Sequence, residues 1–506
     1  MRTFSITAKT ELAPEVHPHI NQGCMQDITT ASSYRLGEHG ESILNAGKAP
    51  VEGICGQNNN YKSSLAISRD LQSLNVMTMS SGQLFCSEST AQMSRVEGQQ
   101  VMYANLKDID LVAAGAYSIT NTTKYTGDEY HAHMRNYCNE KRDLKEAEAT
   151  TPFLGRDGKL IKCKIPTHFL IDSFSNMTIS AVDDMYDSHN IGEKGHNMVG
   201  TKEGSAKTTF MRTAGSMCSS SGSYLTLTAH VDKSIKLDPY APTEHKLNFM
   251  KKGLELKNVS NKYSYLTNNL WYCYNAVKLL HSDKTLLYPS KARGNSSRSG
   301  SSLMAVTTEN LRGKFGPSGV PFQLIYDQIR GLLRGLSEYH YLKTNKAIGS
   351  GYFGMNGSQQ KQQMCLYPGI TLQRTTVYDQ IEENYGLQQA LRYTSEIAQM
   401  REIWTAYDGP ELDIEPEDLY KQLTEVGYDV KWLMENTRPY YTLKEEEDQH
   451  FGYYMSTMDL LKMANGKYYP YWYDEAAKKH GLNTDIKNKA EAKEHIAKVL
   501  KTYLRN

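Results

Sequence analysis

The sequence contains no run of roughly eighteen consecutive apolar residues, so it offers no candidate membrane-spanning helix. Cysteine is scarce, at 8 in 506 residues, and no Cys-x-x-Cys pair occurs. That argues against a disulfide framework and against the commonest zinc spacings, and it fits a reducing, cytoplasmic compartment. Charge of one sign is missing too. Lys and Arg total 57 against 56 Asp and Glu, so any polyanionic partner must be met by a local patch rather than by the whole molecule. Residues 1–13 lack the basic-then-apolar pattern of a secretory signal. No internal repeat of solenoid period is visible. His131, His133 and Cys138 have no fourth ligand at a familiar spacing, so packing is the reading preferred over a metal site.

What is present is an ordinary globular composition, 39% hydrophobic and 22% charged, with 35 tyrosines. Most of the tyrosines are expected in packing, including those of the run YYPYWY at 468–473. Residues 1–48 read as a polar arm or small oligomerisation element. Residues 49–335 alternate short apolar runs with helical patterns, the rhythm of an α/β fold with a largely parallel sheet flanked by helices. Within them, 111–165 read as an insertion carrying a hairpin about Asp157-Gly158. Residues 336–506 read as mostly helical, with helices expected over 379–404, 416–434 and 485–504. Long loops are expected at 184–207, 233–262 and 290–302.

The most informative segment is the strand candidate VEGIC, followed by Gly56-Gln57-Asn58-Asn59-Asn60-Tyr61-Lys62-Ser63-Ser64. It follows the pattern G-x-x-x-x-G-K-[ST] except that Tyr61 stands where glycine is usual. Backbone N–H groups of such a loop wrap phosphates at a helix start, the lysine reaches the β- and γ-phosphates, and Ser63 is placed to ligate Mg²⁺. Glu88 follows the strand QLFCS, where a carboxylate orients water on a γ-phosphate. Asp172 closes the strand HFLID and suits the Mg²⁺ shell. His230 closes the strand YLTLTAH, where it is either a γ-phosphate sensor or a satisfied core histidine. Residues 246–262 carry five lysines and one acid, Glu255. Lysines there would neutralise phosphates, and Phe249 or Met250 would wedge between bases.

The order GQNNNYKSS, LFCSES, HFLIDSF, YLTLTAHV resembles the RecA recombinase family, and its bacteriophage UvsX type in particular, which is similar in having an aromatic residue before the loop lysine. LRGKFGPSGVPF at 311–322 resembles a family segment whose basic residues, here Arg312 and Lys314, reach the neighbouring subunit's ATP. The resemblance spans about residues 50–335. It implies a RecA-type P-loop ATPase core that uses ATP and Mg²⁺ and forms helical filaments on single-stranded DNA for pairing with duplex. It further implies Gln92 and Arg95 near the adenine, and two DNA loops, the first carrying Lys194 and Lys202, the second Lys246, Phe249, Lys251, Lys252 and Lys257. A phage-infected bacterial cytoplasm is the implied setting. Two alternatives stay open: a ring-forming helicase with the same core, and a catalytically weak DNA-binding or regulatory relative.

Overall fold

A computed structural model of the chain describes residues 34–44, 49–77, 79–89, 93–188, 198–234, 247–291, 303–313, 318–344, 352–404, 413–440 and 452–505. Its largest sheet has ten strands. They are β1 (Val51–Gly56), β2 (Ser81–Cys86), β3 (Tyr117–Asn121), β4 (Thr167–Asp172), β5 (Ser223–Lys233), β6 (Leu254–Leu256), β7 (Asn269–Lys278), β8 (Met304–Gly313), β9 (Pro321–Asp327) and β10 (Gly331–Leu332). Across the sheet the order is β10-β9-β8-β7-β1-β5-β4-β2-β3, with β6 alongside β5. From β7 through β3 neighbouring strands run parallel. Strands β8, β9, β10 and β6 pair antiparallel. The fold is therefore mixed α/β, with a large, mostly parallel sheet flanked by helices.

Alternation along each strand explains why both faces are covered. Ile54, Leu84, Leu170 and Trp271 join one core with Leu65, Leu71 and Leu74 of α1 (Lys62–Val76). Their neighbours Cys55, Phe85, Ile171 and Tyr272 join the other core. That second core also takes Tyr130 and Met134 of α3 (Gly127–Asp143) and Phe210 and Met211 of α5 (Val199–Ser221). Each such side chain taken from water contributes about 1.5–3 kcal/mol. Under α1, Arg69 Nε lies 3.0 Å from Glu52 Oε2, and Trp271 Nε1 donates to Glu52 Oε1 at 2.8 Å. Both charges are buried and paired; removing either partner would cost about 3–5 kcal/mol.

The stretch 111–165 supplies the edge strand β3 and helix α3 as well as a hairpin, Glu148–Leu154 with Leu160–Lys164, that turns at Gly158 (φ 77). Past β10, α7 (Arg334–Thr344) packs on β9. Seven further helices follow among the described residues: α8 (Val377–Glu383), α9 (Tyr385–Trp404), α10 (Pro416–Val426), α11 (Val430–Asn436), α12 (Thr457–Ala464), α13 (Tyr473–His480) and α14 (Lys489–Tyr503). Their apolar residues, among them Leu391, Tyr393, Leu419, Leu433 and Leu461, continue the α1-side core without a break. Tyr468, Tyr469, Trp472 and Tyr473 are buried there. The single helix expected over 416–434 is two: Gly427 (φ 116) caps α10, its N–H reaching the carbonyls of Leu423 and Thr424, and the chain turns before α11. No described helix is long and apolar enough to cross a membrane.

One more contact joins distant parts of the chain. The short ladder Tyr34–Leu36 with Ser42–Leu44 sits against the C-terminal helices. Ile43 shares a small core with Phe153 of the hairpin and Tyr454.

Candidate functional site

The carboxyl ends of β1, β5, β4 and β2 lie along one edge of the sheet. Gly56 is level with His230 and Asp172 with Cys86. Ligands of open α/β sheets bind outside this edge, where connections leave adjacent strands in opposite directions. Here the chain leaves β1 through α1 toward β2 and leaves β5 through α6 (Asn261–Leu266) toward β7. A Cβ on Gly56 would come 2.3 Å from the Cys273 carbonyl oxygen, so no other residue allows this close approach.

Beyond Gly56 the loop residues Gln57, Asn58 and Asn59 are exposed and Asn60 is buried. Asn59 (φ 62) and Tyr61 (φ 58) are both left-handed. A left-handed Tyr61 followed by helical Lys62 is the alternation that turns successive N–H groups to one side and forms an anion-binding nest. Tyr61 makes no side-chain cap on α1, and the first turn of α1 holds no acid. The positive helix end is left without a carboxylate of its own. Left-handed backbone costs a tyrosine about 1–2 kcal/mol. The Tyr61 ring stacks on Tyr326 of β9, with centroids 5.0 Å apart and planes at 28°. Such a stack is worth about 0.5–1.5 kcal/mol, the same order as the strain it opposes.

Lys62 is buried, and its Nζ donates to the Gln57 carbonyl at 2.9 Å, arching across the loop. Burial pushes its pKa down, against the opposing pull of Asp172 and, more weakly, Glu88. Asp172 Oδ1 accepts from Thr228 Oγ1 at 2.6 Å. Glu88 Oε1 accepts from Ser173 Oγ at 2.9 Å and Asn176 Nδ2 at 2.7 Å, and lies 3.0 Å from His230 Nε2. Burial alone would raise the Glu88 pKa; the hydrogen bonds from His230, Ser173 and Asn176 outweigh it and hold the carboxyl below the usual range. Lys62, Asp172, Glu88 and His230 thus come together, with half-buried Ser63 and Ser64 on the first turn of α1 beside them. The Ser63 hydroxyl and Asp172 carboxylate are hard oxygen donors, the set Mg²⁺ prefers.

Ser173, Ser175, Asn176 and Thr228 were not singled out from the sequence. Ser173, Ser175 and Asn176 adjoin the HFLID strand, which is the one signal that could have found them. Ser175 ties the edge to the segment beyond β6. His230 N donates to Ser175 Oγ (2.8 Å), Ser175 Oγ donates to the Lys257 carbonyl (2.9 Å), and Lys257 N donates to the His230 carbonyl (2.9 Å). Buried Lys207 spans the same join, donating to the carbonyls of Ser175 at 3.0 Å and Asn258 at 2.9 Å.

Other residues singled out from the sequence lie elsewhere. Arg312 is opposite Leu270, which pairs with Gly53, so it sits toward the amino end of β1; its Nη1 donates to the Ser264 carbonyl at 3.1 Å. The structure does not bring it to Lys62 within one chain, because β8 runs antiparallel and carries its end away from the loop. Arg95 is exposed on α2 (Met93–Gln100), near the Tyr61 hydroxyl. Lys202, Lys251 and Lys252 are exposed. Lys257 pairs with Glu255 at 2.8 Å. Phe249 is exposed beside Gly319, whereas Met250 is buried in the core and presents nothing to a base. Gln92, Lys194, Lys246 and Lys314 lie outside the described residues.

The class defined by these observations is a mixed α/β protein with a lysine-and-carboxylate site at the carboxyl edge of its sheet. No family model and no curated protein matches the chain. Among solved structures, the crystal structure of the RadB recombinase is similar at 11% identity and a TM-score of 0.30, over 57% of this chain and 92% of that one. A likeness at that score fixes neither fold nor function.

Proposed function

We propose that this chain binds ATP with Mg²⁺ at the carboxyl edge and works as a RecA-type recombinase, assembling on single-stranded DNA and pairing it with homologous duplex. The observation that carries the reading is the meeting of Lys62, Glu88 and Asp172, distant in sequence, beside one glycine-led loop. Lys62 and the loop N–H groups would hold the phosphates, and Ser63 and Asp172 would hold Mg²⁺. When bound, Mg²⁺ neutralises charge on the transferring phosphoryl group. Glu88, kept ionised by its donors, would orient a water on the γ-phosphate and accept its proton.

His230 gives the site an outlet. It touches Glu88 on one side and the Lys257 backbone on the other, so a change at Glu88 reaches the segment that carries Phe249, Lys251 and Lys252. Those exposed groups suit the phosphates and bases of a single strand. Arg312, remote from the loop of its own chain, would act on a neighbouring protomer's nucleotide together with Lys314.

Electron microscopy with ATPγS and single-stranded DNA tests the assembly: helical filaments are expected, and monomers or closed rings alone would sink it. ATP turnover with and without single-stranded DNA tests the chemistry. DNA-stimulated hydrolysis is expected in the wild type and its loss in Lys62→Ala.

A further inference from the structure

We infer that Tyr326, on the antiparallel extension of the sheet, is a positioning residue for the phosphate loop; the inference rests on the nucleotide reading of that loop. Tyr61 occupies a left-handed position that a side chain with a Cβ ordinarily leaves. Yet Lys62 is aimed, and the N–H groups of the loop are turned to one side, only while Tyr61 stays there. The ring of Tyr326 supplies the restraint by stacking on Tyr61. Tyr326 is a rigid platform: it is fully buried, and its strand is paired to Met304 on one side and Leu332 on the other.

The ring, not the hydroxyl, is the working part. The Tyr326 hydroxyl is buried and finds no hydrogen-bond partner among the described residues. In the common pattern G-x-x-x-x-G-K-[ST] the position of Tyr61 is taken by glycine, which visits the left-handed region at no steric cost. This chain reaches the same backbone by a different route, an aromatic contact from a strand far along the sequence. The contact also links the loop to the part of the sheet on which α7 and the C-terminal helices are built.

The test is a double-mutant cycle on the full chain, read by calorimetric titration with Mg²⁺ and ATPγS. Y326L keeps an apolar side chain in the core but removes the flat face. It is expected to weaken nucleotide binding about tenfold, the loss of one aromatic stack, while Y326F stays within about twofold of wild type. In a Y61G background the loop no longer needs the stack, so adding Y326L is expected to change affinity less than about twofold. A merely structural role for Tyr326 predicts the same loss in both backgrounds, and that result overturns the inference, as does wild-type affinity in Y326L. Should Y326L fail to fold by thermal melt, Y61L against Y61F removes the same contact from the solvent side. Weak binding in Y61L alone supports the inference, and equal binding in the two overturns it. A wild-type chain that binds no nucleotide overturns the reading of the site itself and the inference with it. A wild type that binds, with Y326L equal to it, overturns the inference alone.

Discussion

Glu88 and Glu41 are the same residue in opposite surroundings. At the carboxyl edge Glu88 is partly exposed and accepts from Ser173 and Asn176, with His230 at hydrogen-bond distance. At the seam between the N-terminal ladder and the C-terminal helices Glu41 is fully buried. It occupies the space a Cβ on Gly37 would need, accepts the His39 N–H at 2.9 Å, and faces Asp459. Burial raises the Glu41 pKa to about 8 and that of Asp459 to about 6. Around them stand Glu38, Lys462, Tyr454 and Tyr468, and only Lys462 is a cation. The extent of burial decides the difference, because Glu41 and Asp459 accept hydrogen bonds too. A partly exposed carboxylate ringed by N–H and O–H groups stays charged and available for chemistry, whereas one desolvated beside another acid keeps its proton and serves as packing.

The comparison can be broken at three points. The largest effect is expected at the edge. Glu88→Gln keeps the shape but loses the base, so ATP turnover should fall by about 10²–10⁴-fold with nucleotide affinity nearly unchanged. A turnover within a few-fold of wild type would remove Glu88 from the chemistry and make the two glutamates alike.

At the seam, the folded chain holds protons on Glu41 and Asp459 that the unfolded chain releases near the ordinary carboxyl range. Their contribution is fully present below that range and is lost as pH rises through about 6 for Asp459 and about 8 for Glu41. Glu41→Gln should therefore melt higher than wild type at pH 8, while the two converge near pH 5. Parallel melting curves across that window would show that Glu41 carries no linked proton.

The smallest effect belongs to the basic segment beside the edge. Lys251→Ala and Lys252→Ala should each lower the slope of single-stranded DNA affinity against salt by roughly 0.7, without altering ATP turnover in the absence of DNA. An unchanged slope would separate that segment from the DNA path.

Much of the edge was legible in the linear chain. Strand ends at Gly56 and Asp172 follow from apolar runs that stop at a glycine or an acid, and such runs are short-range features; His230, expected to close its strand, lies inside β5, which runs on to Lys233 because its outer end pairs with β6. The rhythm of short apolar runs and helical patterns likewise pointed to a largely parallel sheet flanked by helices. Arg312 was a different matter: its position depends on β8 running antiparallel, which no local pattern states. Nor did the run 416–434 announce its break, although Gly427 marks it once the capping geometry is known. The Tyr61 departure from the loop pattern had no visible compensation until β9 was seen to bring Tyr326 beside it.

The amino-acid order by itself determined the elements and the kinds of side chain at their ends, because backbone propensity and burial period act over a few residues. Tertiary structure alone decided which acid is ionised, which tyrosine restrains the loop and which arginine lies apart. Those properties depend on neighbours hundreds of positions away and on how much water each group keeps.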